Sequence, residues 1–264
     1  MATRTSICAV MALALFLGAG AEGQNTMKPL GSFTIETRAT AAEQFDYASR
    51  IRSDSADRME RDVAVLRSVA ALEVIPKRWP AERELIMRAW SEIISRLTGA
   101  FLHKNAVTYC DKAIAWAGKA PRRLVFLAAK GRSLMWLDRT SEAKEAFDTA
   151  TSAGDFHRLT DFEKSGILAD ASFFYERQKK YDVAAAHSRA RAKVCADDLG
   201  RADALRKAVD LSIRGRDLGA ARADLGVLMS VALQARMRTL TPSEQEILRR
   251  IDASIAEYRK KLGV

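Results

Sequence analysis

Four alanines set the terms on which this chain can fold. Ala106, Ala143, Ala184 and Ala221 follow one another at intervals of 37, 41 and 37 residues (106 to 143, 143 to 184, 184 to 221). Around each lie the same ingredients: an apolar helical stripe, a short polar break and a second stripe. Two helices in every period of about forty residues describe a stack of helical hairpins, each burying its apolar face against its neighbours rather than in one central core. The clearest unit is Gly131 to Ala150, GRSLMWLDRTSEAKEAFDTA. Ala143, Phe147 and Ala150 fall at i, i+4 and i+7 of one helix face, while Gly131 and Leu134 mark the face of the helix before it. The break lies at Asp138–Thr140. Small residues at Gly131 and Ala143 let two antiparallel helices come close, with Phe147 filling the gap beside them.

The same design extends in both directions. Trp79-Pro80 opens the first unit, with Pro80 suited to a first helical turn. Trp90, Ile93, Ile94 and Leu97 then line a helix that ends at Gly99. Ala106, Cys110 and Ala113 line its partner, which closes at Gly118. The next helix starts near Pro121 and carries Leu127, Gly131 and Leu134. Thr160 with Glu163 has the spacing of a capping box ahead of Leu168, Ala171 and Tyr175, followed by Tyr181 and Ala184. A fainter fourth pair carries Leu211, Gly215, Ala221, Leu225 and Leu228.

Before the array, Phe45, Ala48 and Ile51 make one stripe, and Met59, Val63, Leu66, Val69 and Ala70 make another. After it, a polar helix is expected to run on from Met229 to Arg238. Thr241-Pro242-Ser243-Glu244 then combines a cap, a proline at the first helical position and a glutamate at the third. Ile247, Leu248, Ile251, Ile255, Tyr258 and Leu262 follow as the stripe of a last amphipathic helix. Both flanks are expected to cap the stack, since terminal units of an array must differ from internal ones.

With these positions, the chain resembles the tetratricopeptide repeat family, whose pattern sets an aromatic, Leu-Gly and Tyr in the first helix and Ala, an aromatic and Ala in the second. Trp90, Ala106 and Ala113 fit the first unit. Gly131, Leu134, Ala143, Phe147 and Ala150 fit the second. Tyr175, Tyr181 and Ala184 fit the third. Lys130 and Ala171 stand where the pattern has Leu, Ile94 and Ser172 where it has Gly, and Ser188 where it has the second-helix aromatic. The resemblance implies an all-α, right-handed α-solenoid of helix–turn–helix repeats with atypical helical caps. The expected division is a signal peptide over 1–21, a linker over 22–38, capping helices over 39–78, repeats over 79–229 and capping helices over 230–264.

It further implies binding of a protein or peptide in the groove lined by first helices. Carried over position by position, the groove residues are Arg88 and Ser95 in the first unit. They are Arg132, Met135 and Trp136 in the second, and Phe173, Glu176 and Arg177 in the third. The Lys and Asn with which some members hold a C-terminal carboxylate are missing at the corresponding positions.

Residues 1–21 have the anatomy of a secretory signal. Arg4 gives the positive start, Ile7 to Leu17 is an apolar core too short to span a bilayer comfortably, and Ala19-Gly20-Ala21 precedes a cut at Glu22. An exported protein, most simply periplasmic, is the expectation. The net charge of +10 makes the surface basic, but no run of five basic residues appears, so nucleic acid is not an expected partner. Distributed charge of this kind gives an alternative reading, an envelope-associated protein holding an anionic polymer or lipid. No catalytic constellation appears. His103, His157 and His187 stand alone, without the converging ligands that zinc needs, and GRDLGA at Gly215 lacks the Lys of a phosphate loop. No enzyme, metal or cofactor is expected. The two cysteines beyond the signal, Cys110 and Cys195, fall two helix-to-helix steps apart in a stack of this kind, which is too far for a disulfide.

Overall fold

A computed structural model describes residues 35–264; the expected signal peptide and most of the expected linker lie outside the described residues. Every regular element among the described residues is helical. The chain forms two compact units, which divide between Tyr109 and Cys110.

The first unit holds α1 (Ala41–Arg50), α2 (Arg58–Leu72), the short α3 (Val74–Arg78), α4 (Arg83–Gly99) and the start of α5 (His103–Ala117). Thr40 and Glu43 close a reciprocal capping box at the start of α1, and Asp57 accepts the Met59 amide at 2.8 Å to start α2. Small and polar residues join α1 to α2. The Gln44 amide donates to Ala71 O at 3.0 Å and Ser68 Oγ to Ala48 O at 3.0 Å, all buried. Pro80 does not open a helix. It sits in the turn before α4, whose first residue is Arg83. Trp90 and Tyr109 pack at a ring separation of 6.3 Å.

The second unit holds the rest of α5 and then α6 (Arg123–Trp136), α7 (Thr140–Ser152), α8 (Asp161–Arg177), α9 (Tyr181–Val194), α10 (Asp198–Arg214), α11 (Leu218–Arg236) and α12 (Pro242–Leu262). Consecutive helices pair as hairpins, α6 with α7, α8 with α9 and α10 with α11. The first helices α6 and α8 also pack against each other. The close approach read from Gly131 is realised: a β-carbon there would lie 3.0 Å from the Phe147 ring. Phe147 is fully buried and its ring centroid is 5.2 Å from that of Phe174.

One turn geometry recurs after α4 and at the three hairpins of the second unit. Phe101, Asp138, Lys179 and Arg216 have φ of 61°, 57°, 57° and 62°, the left-handed conformation that ends many helices. The next amide reaches back five residues each time: Leu102 to Leu97 O, Arg139 to Leu134 O, Lys180 to Tyr175 O and Asp217 to Ser212 O, at 2.8–3.0 Å. These left-handed residues are themselves 37, 41 and 37 apart, the interval of the four alanines. Each alanine lies in the first turn of a second helix and is fully buried.

Departures from the repeat pattern have a structural use. Ser172 and Ser188 hydrogen-bond to each other at 2.8 Å in the interior between α8 and α9, and Ser172 also donates to Ala184 O at 2.9 Å. Between α9, α10 and α11, the Arg189 guanidinium donates to both oxygens of Asp224 and to Ser212 Oγ at 2.8–3.0 Å.

At the C-terminal end, α11 runs on without interruption through Met229 and ends at Arg236, two residues short of the expected Arg238. Thr241 and Glu244 form the expected capping box, with Pro242 as the first residue of α12. Leu248, Ile251, Tyr258 and Leu262 bury against Leu225, Leu228 and Val231, with Ile255 partly buried beside them. Ile247, assigned to the same stripe, is exposed.

Cys110 is buried, and burial pushes its thiol up to about 12. Cys195 ends α9, its Sγ 3.6 Å from Ser165 Oγ; both are free thiols.

Candidate functional site

The candidate site is built on α6 and α8. Each is a first helix that packs against its hairpin partner and its neighbouring first helix, and this leaves one face open. On α6 that face carries Arg132 and, one turn on, Trp136. On α8 it carries Asp170, Phe173 and Arg177. The Arg132 guanidinium pairs with Asp170, with Nε donating at 3.1 Å. A turn further on, the Arg177 guanidinium lies over the Trp136 ring, 4.8 Å from its centroid, within the range of a cation–π contact. Phe173 precedes Arg177 by one helical turn, so their side chains are neighbours on α8. Trp136 is 46% exposed and Phe173 42%.

Beside this cluster Glu176 accepts from Lys207 Nζ at 2.7 Å and from Arg214. Arg214 in turn lies over Tyr181, 4.7 Å from the ring centroid. Burial works against the charge on both acids. At Asp170 burial prevails over Arg132 and the carboxyl is raised above its ordinary value. At Glu176 the hydrogen bonds from Lys207 and Arg214 prevail and the carboxyl is lowered. Arg177 differs from its neighbours in having no carboxylate partner among the described residues.

The expected groove residues therefore divide. Arg132, Trp136, Phe173 and Arg177 share the open face of α6 and α8. Met135 does not: it is 4% exposed. A first helix in a stack is covered on two sides, so only a narrow strip stays open, and Met135 falls outside it. Arg88 lies on α4 in the first unit, exposed, its guanidinium 4.8 Å from the centroid of the Phe45 ring of α1. Ser95, also on α4, is exposed.

Reading the sequence placed Glu176 on this surface but missed Asp170, and missed the pairing of both acids with arginines about one repeat away. Arg132 to Asp170 and Glu176 to Arg214 both span 38 residues, close to one repeat. A search for opposite charges separated by one repeat on first helices would have found both. Nothing on the face suggests bond-making chemistry. Its charged groups are paired or stacked, and no group of three or more His, Cys, Asp or Glu among the described residues could hold a metal ion. No described helix is long and apolar enough to cross a membrane.

No family model matches the chain, and no curated protein matches it. Solved structures do. Two crystal structures of a putative kinesin light chain from Podosopora anserina with nearly identical TPR-like repeats superpose with TM-scores of 0.52 and 0.51 at 14% identity. They cover 75% of this chain and 96% and 97% of their own. The crystal structure of BtubC (BKLC) from P. vanneervenii superposes with a TM-score of 0.53 at 10% identity, covering 76% of this chain and 92% of its own. The hairpins, their repeated turn and these superpositions lead to one conclusion: the chain has the all-α solenoid fold of the TPR-like helical repeats.

Proposed function

We propose that this protein is an exported, non-enzymatic binding module that takes a protein or peptide partner on the open face of α6 and α8. The observation that carries the reading is the cluster of Trp136, Arg177 and Phe173. Two half-exposed aromatic rings lie next to a guanidinium that is already oriented by stacking and free of a carboxylate. Arginine and large aromatics are the usual anchors of interfaces, because they bury much area at little conformational cost. TPR-like folds generally mediate protein–protein interaction and are typically non-enzymatic scaffolds, which supports the same reading.

The alternative, an anionic polymer held by distributed charge, draws on the net charge of +10. On this face, however, Arg132, Lys207 and Arg214 are engaged by Asp170 and Glu176. A polymer would have to displace those carboxylates, whereas an aromatic-anchored peptide would not. Export rests on the signal-like residues 1–21.

The test is affinity capture from the native host's envelope. We compare the protein with a variant carrying Trp136→Ala, Phe173→Ala and Arg177→Ala, at about 0.1 M and about 0.5 M salt. A partner retained at both salt concentrations and lost from the variant is the expected result. Retention by the variant, or release of everything at high salt, contradicts the face. The intact mass of the same preparation should place the N-terminus at Glu22, and a retained Met1 contradicts export through a cleaved signal.

A further inference from the structure

The first unit carries a cleft of about 380 Å³ between α2 and the end of α4, within the range of small-molecule sites. Arg58, Arg61, Asp62 and Val65 line one side, Arg96 and Phe101 the other. Three guanidiniums thus meet one carboxylate around an apolar floor. We propose that this cleft binds a small amphipathic carboxylate, with its head on Arg61 and Arg58 and its apolar body against Phe101 and Val65.

The three arginines have different roles. Arg96 is a positioning residue. Its Nε donates to Glu92 at 2.7 Å, and its two terminal nitrogens donate to Ile51 O and Ser49 O at 3.1 and 3.2 Å. It fastens the C-terminal end of α1 to α4, fixing one wall. Arg61 is held by a single nitrogen, Nη1, which donates to Ser55 O at 2.9 Å and Ala56 O at 2.7 Å. Its other donors have no carboxylate among the described residues, so an oriented guanidinium edge remains for an anion. Arg58 has only Asp62, 3.8 Å away, and its side chain is 75% exposed. A pair so solvated is held weakly and can be exchanged for a ligand.

Phe101 supplies the selectivity. The hairpin turn fixes it in the left-handed conformation with φ 61°, and its side chain is 70% exposed. A bulky apolar residue is costly in that conformation and gains nothing from water. An inorganic anion would use the guanidiniums alone; a ligand with an apolar body uses the ring and Val65 as well. The cleft holds the liquid volume of about a dozen waters, comparable with a medium-chain carboxylate.

Dodecanoate below its micelle-forming concentration is the probe, titrated into the full chain by calorimetry. Inorganic phosphate supplies the charge without the body, and dodecyltrimethylammonium the body with the opposite charge. One saturable dodecanoate site per chain is expected, with neither control binding comparably. Arg61→Ala should weaken it about tenfold or more, and Phe101→Ala by about threefold or more. Arg67→Ala, an exposed arginine of α2 away from the cleft, should leave it unchanged. All three side chains are exposed, so circular dichroism should show the helices intact. The proposal is overturned if dodecanoate does not bind or if either control matches it. It is equally overturned if Arg61→Ala or Phe101→Ala has no effect, or if Arg67→Ala weakens binding as much as Arg61→Ala does.

Discussion

At residue scale, Gly131 and Phe147 decide how closely α6 and α7 lie. A methyl group at 131 would meet the Phe147 ring at 3.0 Å, tighter than side chains tolerate without moving. Gly131→Ala gains about 1 kcal/mol of helix propensity but overpacks a core for about 1–3 kcal/mol, so a net loss of about 1 kcal/mol is expected in urea unfolding. A net gain would mean that the helices are further apart than described. Phe147→Ala removes a fully buried ring and should cost about 3–5 kcal/mol.

His187 is a second residue with a measurable consequence. Its ring stacks on Tyr175 with centroids 5.5 Å apart, and the Tyr175 hydroxyl donates to Asp148, which also pairs with Lys144. Burial lowers the His187 pKa below its ordinary 6.5, and Asp148 opposes the shift without reversing it. The folded state therefore binds fewer protons than the unfolded one. The stability from keeping His187 neutral is complete above pH 6.5 and is lost as the pH falls through 6.5 towards the folded value. The protein should lose stability between about pH 7.5 and about pH 5.5, and His187→Gln should lose less. Equal losses would show that His187 is not the group responsible.

At the scale of elements, the recurring turn is the fixed part of the design. Its left-handed residue is Phe, Asp, Lys or Arg rather than Gly, and a side chain there carries a conformational penalty. Lys179 is exposed, so Lys179→Gly should relieve the penalty at little other cost. A stabilisation of about 0.5–1 kcal/mol is expected after allowing for the freer unfolded chain. A thermal melt showing destabilisation would indicate that the lysine side chain is itself needed.

The second helices were legible from sequence because each presents one buried stripe, as Ala143, Phe147 and Ala150 do, and the starts of α8 and α12 were legible from the capping boxes at Thr160 and Thr241. First helices were less legible. In α8, Ile167, Leu168, Ala171, Ser172, Phe174 and Tyr175 are all buried and surround much of the helix, so no single face stands out. That is why Met135 could be taken for a groove residue. The open face of α6 and α8 was read in part, through Trp136, Phe173 and the arginines, by carrying repeat positions across. Asp170 and Glu176 gained their ion-pair roles only when neighbouring repeats were stacked. The Arg61 cleft left no mark in the sequence, because it depends on where the C-terminal end of α1 meets α4.

At the scale of the molecule, a chain with a net charge of +10 pairs many of its basic side chains with acids along its helices and presents an aromatic and guanidinium cluster on one face. In the proposed function, first helices, rather than second helices, meet the partner. Photo-crosslinking tests this directly. A benzophenone-bearing residue is placed at Phe173 on α8, or at Ala186, an exposed position on the second helix α9, and the host cells are irradiated. A discrete adduct from position 173 and none from 186 is the predicted result. An adduct from 186 with none from 173 would contradict the account.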